Sequence, residues 1–96
     1  MPVSFSDCVR VAPDVLFRLV SDEGVLVNLN TEMYLGLNPV GARMWSVLSE
    51  ASSIQAAYEQ LLREYEVDPS ELRRDLEEFI AQLHAHQLIE TRPDAG

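Results

Sequence analysis

The chain has little of what a small protein uses for covalent or metal-based chemistry. It holds a single cysteine, Cys8, so no internal disulfide is available to it. A lone thiol fits a reducing cytoplasm. Cys8 reads as a small apolar strand residue, because no base stands near it to activate a nucleophile. Long apolar runs are missing too: none reaches the roughly 18 residues of a membrane-spanning helix. The opening MPVSFSDCVRV lacks a basic n-region followed by an apolar h-region, so no secretory signal is expected. Basic residues are scarce, 7 against 16 acidic ones, for a formal net charge of -9. Such a surface repels phosphate backbones and disfavours nucleic acid; a basic or amphipathic partner suits it better. There is no GxGxxG, no Walker loop and no GxSxG. A chain of this size also has little room for a closed pocket of typical ligand volume. The expectation is a non-enzyme without cofactor or metal that engages neither nucleic acid nor membrane.

What is present is ordinary globular material: 96 residues, 47% hydrophobic, mean hydropathy -0.05. That predicts one domain over 1–96, with a modest core. The first third reads as strands. DCVRVAP alternates and ends at Pro13, and VLFRLV (15–20) is a second run. SDEG (21–24) reads as a turn in which Gly24 supplies positive φ. VLVNLN (25–30) follows, and NTE (30–32) reverses the chain. MYLGLN (33–38) then puts Met33, Leu35 and Leu37 on one face and Tyr34 and Gly36 on the other, the period of a half-buried strand.

Asn38-Pro39 changes the period: Asn is a preferred N-cap and Pro suits the first helical position. Val40, Met44, Val47 and Leu48 recur at helical spacing, with Trp45 beside them as a core anchor. Ser52 and Gln55 have capping-box spacing, and Ile54, Ala57, Tyr58, Leu61, Leu62 and Tyr65 form the next stripe. Asp68-Pro69-Ser70-Glu71 is a second capping box. Leu72, Leu76, Phe79, Ile80 and Leu83 follow it in a helix predicted to end near Gln87. LIE reads as a short extended piece, and TRPDAG should fray. Strands followed by three helices predict an α+β fold, a small antiparallel sheet covered by a helical bundle.

The titratable residues offer no catalytic constellation. His84 and His86 point about 200° apart at roughly 100° per residue and cannot share a metal from one helix. Glu71, Asp75, Glu77 and Glu78 alternate with Arg73 and Arg74 as on a solvated helix face. What remains is the sheet. MYLGLN carries neither charge nor proline, the usual protections of an edge strand, and Gly36 clears bulk from its outward face. An open edge of that kind suits strand addition by an extended peptide; a central or covered strand is the alternative.

VLVNLNTEMYLGLNPVGARMW resembles the PqqD-like family: an apolar strand (Val25 to Leu29), a turn (Thr31-Glu32), an aromatic (Tyr34), Leu37-Asn38, the small pair Gly41-Ala42, and Trp45. YEQLLREYEVDPSELRRDLEEFIAQLHAHQLIE resembles the family's second and third helices and its close, with Asp75, Phe79 and Leu83 in place and Gln87 where glycine is common. The likeness runs over about residues 9–90. It implies a winged-helix-like fold with a three-stranded antiparallel sheet followed by a three-helix bundle. It also implies recognition of the leader segment of a ribosomally synthesised, post-translationally modified precursor peptide. In that family the leader adds as a strand in the groove between the third strand and the third helix. The corresponding positions are Met33, Tyr34, Leu35, Gly36 and Leu37 on the strand and Arg74, Asp75, Glu78 and Phe79 on the helix.

The members serving pyrroloquinoline quinone biosynthesis, whose partner is a radical SAM enzyme, carry a Pro-Glu-Gly turn and a Cys-Asp-Gly junction. NTE and EASS stand here instead. The segment is more similar to stand-alone members of lasso-peptide clusters, whose partner is a leader peptidase. Two rivals stay open: a winged-helix DNA-binding regulator, which needs a basic recognition helix, and a small structural subunit of a larger biosynthetic enzyme. A monomer or a weak homodimer through the open edge are both compatible with the sequence.

Overall fold

The alternating residues of the first third form strands, and Asn38 ends them. The computed structural model describes residues 5–92. In chain order it contains β1 (Cys8–Val11), β2 (Val15–Val20), β3 (Glu23–Asn28), β4 (Met33–Leu37), α1 (Pro39–Glu50), α2 (Ile54–Glu64), α3 (Pro69–Ala85) and β5 (Ile89–Arg92). This is the expected α+β arrangement. β2, β3 and β4 make a three-stranded antiparallel sheet with β3 in the centre. β1 stands apart from that sheet and pairs antiparallel with β5, Cys8 opposite Arg92 and Val11 opposite Ile89. The fraying expected of TRPDAG is therefore corrected at Thr91 and Arg92, whose backbone groups find ladder partners on β1. The rest of that stretch lies outside the described residues.

Leu26 on β3 and Leu37 on β4 face a core completed by Trp45 and Leu48 of α1, Ile54 and Leu61 of α2, and Leu76, Ile80 and Leu83 of α3. Leu88 and Ile89 join it from the far end of the chain. Trp45 is buried as expected, its ring 6.1 Å from that of Phe17. Phe5 adds a contact that sequence reading overlooked: it is buried edge-on to Tyr58 at 5.6 Å, with the Arg73 guanidinium 4.0 Å above its ring.

The helix starts follow local chemistry at two of three positions. Asn38 Oδ1 accepts from the Gly41 N–H at 2.7 Å, and Asp68 Oδ1 accepts from the Ser70 N–H at 2.8 Å, each with proline next in line. At α2 the expected cap, Ser52, is displaced by Ser53, whose Oγ accepts from the Ala56 N–H at 3.1 Å. The N-terminal segment explains the shift. Asp7 and Phe5 carbonyls accept from Ile54 and Gln55 N–H at 2.9 and 2.7 Å, and the Ser52 carbonyl accepts from the Cys8 thiol at 3.0 Å. Gln55 turns away to donate to Glu59 at 2.9 Å.

The expected positive φ at Gly24 is also corrected. No described glycine has positive φ; Ser21 (φ 59) takes the left-handed turn position, and Gly24 lies inside β3. Its lack of a side chain serves space: a Cβ there would stand 2.6 Å from a ring carbon of Phe17. The third helix ends two residues earlier than expected, at Ala85. Gln87 (φ 58) follows its cap, with Leu88 N–H bonding to Leu83 and Gln87 N–H to His84. That pair of bonds is a Schellman ending, which normally favours glycine at the left-handed position.

Candidate functional site

In the order β2-β3-β4, β4 pairs on one side only. Alternate residues of an antiparallel edge strand turn both N–H and C=O away from the sheet, so β4 presents a partial ladder. No charge or proline interrupts Met33–Leu37. A Cβ on Gly36 would meet nothing within 4 Å, so the strand's outward face is clear there.

Beside the end of β4 lies an open groove of about 300 Å³. Gly36, Leu37, Asn38, Val40, Gly41 and Met44 line it on the side of β4 and α1. Asp75, Glu78, Phe79 and Gln82 line it from α3. Phe79 and Met44 are buried and give the groove its apolar floor, while Val40 is 46% exposed at its lip. Asp75 and Glu78 are exposed and make no ion pair among the described residues.

Of the residues singled out from sequence, Gly36, Leu37, Asp75, Glu78 and Phe79 come together in this lining. Met33 and Leu35 lie earlier on β4, half-buried on its inner face, and Tyr34 is 70% exposed on its outer face. Arg74 is exposed on α3 and does not line the groove. Its neighbour Arg73 reaches Glu77 at 3.4 Å. Sequence reading missed Asn38, Val40, Gly41, Met44 and Gln82 as lining residues. Gln82 was recoverable, since it follows Asp75 by seven and Glu78 by four and so shares their helix face. Val40 was not, because its helical spacing reads as core.

The histidines lie just beyond Gln82, at the C-terminal end of α3, and are not among the groove's lining residues. His84 Nε2 lies 3.2 Å from Thr91 Oγ1, and His86 Nδ1 lies 2.9 Å from the Gln82 carbonyl. Among the described residues no group of three or more His, Cys, Asp or Glu side chains is placed to hold a metal ion. None of the described helices is long and apolar enough to cross a membrane.

Fold and groove together define a small α+β module with a terminal strand beside a helix-walled groove. The chain belongs to the PqqD family: the family model described as coenzyme PQQ synthesis protein D matches residues 23–89, from the start of β3 to the start of β5. It is also similar to a solved structure described as TbiB1 in complex with the TbiA(beta) leader peptide. That likeness has a TM-score of 0.75 and 34% identity, and covers 84% of this chain and 94% of the other. No curated protein matches the chain.

Proposed function

We propose that this chain binds the leader segment of a ribosomally synthesised precursor peptide by strand addition along β4, and presents it to a partner enzyme. The observation that carries the reading is the position of β4: a terminal, unprotected strand directly beside a groove that α3 walls. Membership of the PqqD family and the likeness to a structure that holds a leader peptide support it. The protein's part is non-catalytic. Backbone bonds from Met33, Leu35 and Leu37 or their neighbours supply affinity, and pockets between β4 and α3 supply selectivity. Ordering a flexible leader opposes binding, so affinity is moderate. We assign the protein to the lasso-peptide type, with a leader peptidase or modifying enzyme as partner, acting as one domain in the cytoplasm where its precursor is made. The DNA-binding alternative has no support from α3, whose Arg73 and Arg74 are outnumbered by Glu71, Asp75, Glu77 and Glu78.

The test is titration of a fluorescent leader peptide, taken from the short open reading frame nearest the gene, into the purified protein. Saturable binding is expected, with β4 amides protected from hydrogen exchange. A proline in the paired segment removes a ladder donor and should abolish binding. Undiminished affinity for every such proline variant would sink strand addition.

A further inference from the structure

The two sides of the groove differ in a way that bears on the guest, and this step rests on the reading just given. We infer that the preferred guest carries an arginine or lysine two residues from an apolar anchor, the anchor seated on Phe79 and Met44 and the cation held by Asp75 and Glu78. Phe79 and Met44 are buried at the floor, and Val40 stands exposed beside them. An apolar guest side chain placed there removes that lip from water. The exposed rim that α3 adds above Phe79 is different. Asp75 and Glu78 are three residues apart on one helix face, with Cβ atoms about 5–6 Å apart. One guanidinium can reach both.

Neither carboxylate has an ionic partner among the described residues, and no arginine is in the groove lining. In the free protein water satisfies them. A guest strand laid along β4 displaces part of that water, so a neutral or acidic side chain leaves two carboxylates poorly solvated. A basic side chain replaces the lost hydration with charge-assisted hydrogen bonds. The spacing follows from the strand itself: side chains on one face recur every second residue. The anchor and the cation must share the face turned to the groove. The net charge of -9 acts in the same direction at longer range, drawing in basic peptides.

The probe is a displayed library of random short peptides panned against the immobilised full chain. Enriched peptides should carry Arg or Lys at a fixed spacing of two from Leu, Ile, Met or Phe, and should protect β4 amides from exchange. Asp75→Asn/Glu78→Gln should weaken the best of them about three- to fivefold, as expected for exposed ion pairs. High salt should erase that loss. Both residues are exposed, so the variant should keep the parent's circular dichroism; Asp75→Lys/Glu78→Lys should in turn select acidic peptides. Peptides that protect β4 but show no basic preference, or that bind the neutral variant equally well, overturn the inference and leave peptide recognition standing. A panning that enriches nothing, or peptides that leave β4 unprotected, overturns both.

Discussion

The side-chain amide of Asn28 donates to the backbone carbonyl of Gln87 at 2.6 Å, tying the end of β3 to the residues that close α3. The same side chain's oxygen accepts from the Asn30 and Thr31 N–H groups at 2.9 and 3.2 Å. Among the described residues Asn28 is the buried polar one: its oxygen holds the β3–β4 turn together and its amide ties that turn to the segment closing α3. It therefore sets the strand that offers the open edge relative to the helix that walls the groove.

Replacing Asn28 by alanine or leucine should be costly. The Gln87 carbonyl and two turn N–H groups lose their partner in a buried setting, for about 2–3 kcal/mol of destabilisation. Urea unfolding measures this. Asn28→Asp keeps the acceptor for the turn but places a carboxylate against a carbonyl, so it should lie closer to alanine than to the parent.

Gln87 itself should be improvable. It holds a left-handed conformation (φ 58) that a side chain disfavours, and its own side chain is exposed. Gln87→Gly relieves that strain but loosens the unfolded chain, for a net gain of about 0.5–1 kcal/mol. A lower urea midpoint for this variant would refute the assignment of strain.

Two strand glycines should behave in opposite ways. Gly24→Ala drives a methyl group to 2.6 Å from Phe17, and should destabilise by about 1–3 kcal/mol as overpacking does. Phe17→Leu in the same chain should recover part of the loss, a coupling readable in a double-mutant cycle. Gly36→Ala meets open space and should leave the fold intact.

The α1–α2 contact should show in the acid limb of stability. Arg43 makes a two-pronged contact with Glu64, at 2.7 Å for each bond. The hydrogen bonds from Arg43 and then Gln60 lower the Glu64 carboxyl from 4.5 to about 2. A carboxyl lowered by folding contributes its stability above the unfolded value. The contribution is lost as pH falls from about 4.5 towards 2. Glu64→Gln should flatten the pH dependence of the urea midpoint across that window and leave its slope near neutrality unchanged. Both side chains are partly open to solvent, so the effect should shrink in salt.

The elements were legible wherever neighbours in sequence determine them. Asn38 and Asp68 cap the helices they precede, and Met33, Leu35 and Leu37 turn inward on β4 because alternation is a property of the strand itself. The errors fell where a distant segment intervened. Ser53 rather than Ser52 caps α2 because Phe5 and Asp7 arrive at its first turn. Thr91 and Arg92 are ordered because β1 lies beside them. The α3 wall of the groove was reached through the resemblance to the PqqD-like family, which pointed to Asp75, Glu78 and Phe79 and also to Arg74, which does not line it; helical periodicity by itself reads Asp75 and Glu78 as a solvated face. Val40 and Met44 line it because the packed core sets α1 beside α3's groove face, which no local spacing specifies.

From its sequence alone this chain determines the strand-to-helix order, the inward faces and the scarcity of positive charge, since each depends on composition or on residues a few positions apart. Which sheet edge has a groove beside it is another matter. β1 pairs with β5 across most of the chain and does not add to the sheet, so β2 and β4 are both terminal, and α3 walls a groove beside β4. The groove, the clearance at Gly24 and the Asn28–Gln87 bond likewise join residues far apart in sequence. Only the packed core brings such residues within van der Waals or hydrogen-bond reach, and no local preference encodes that meeting.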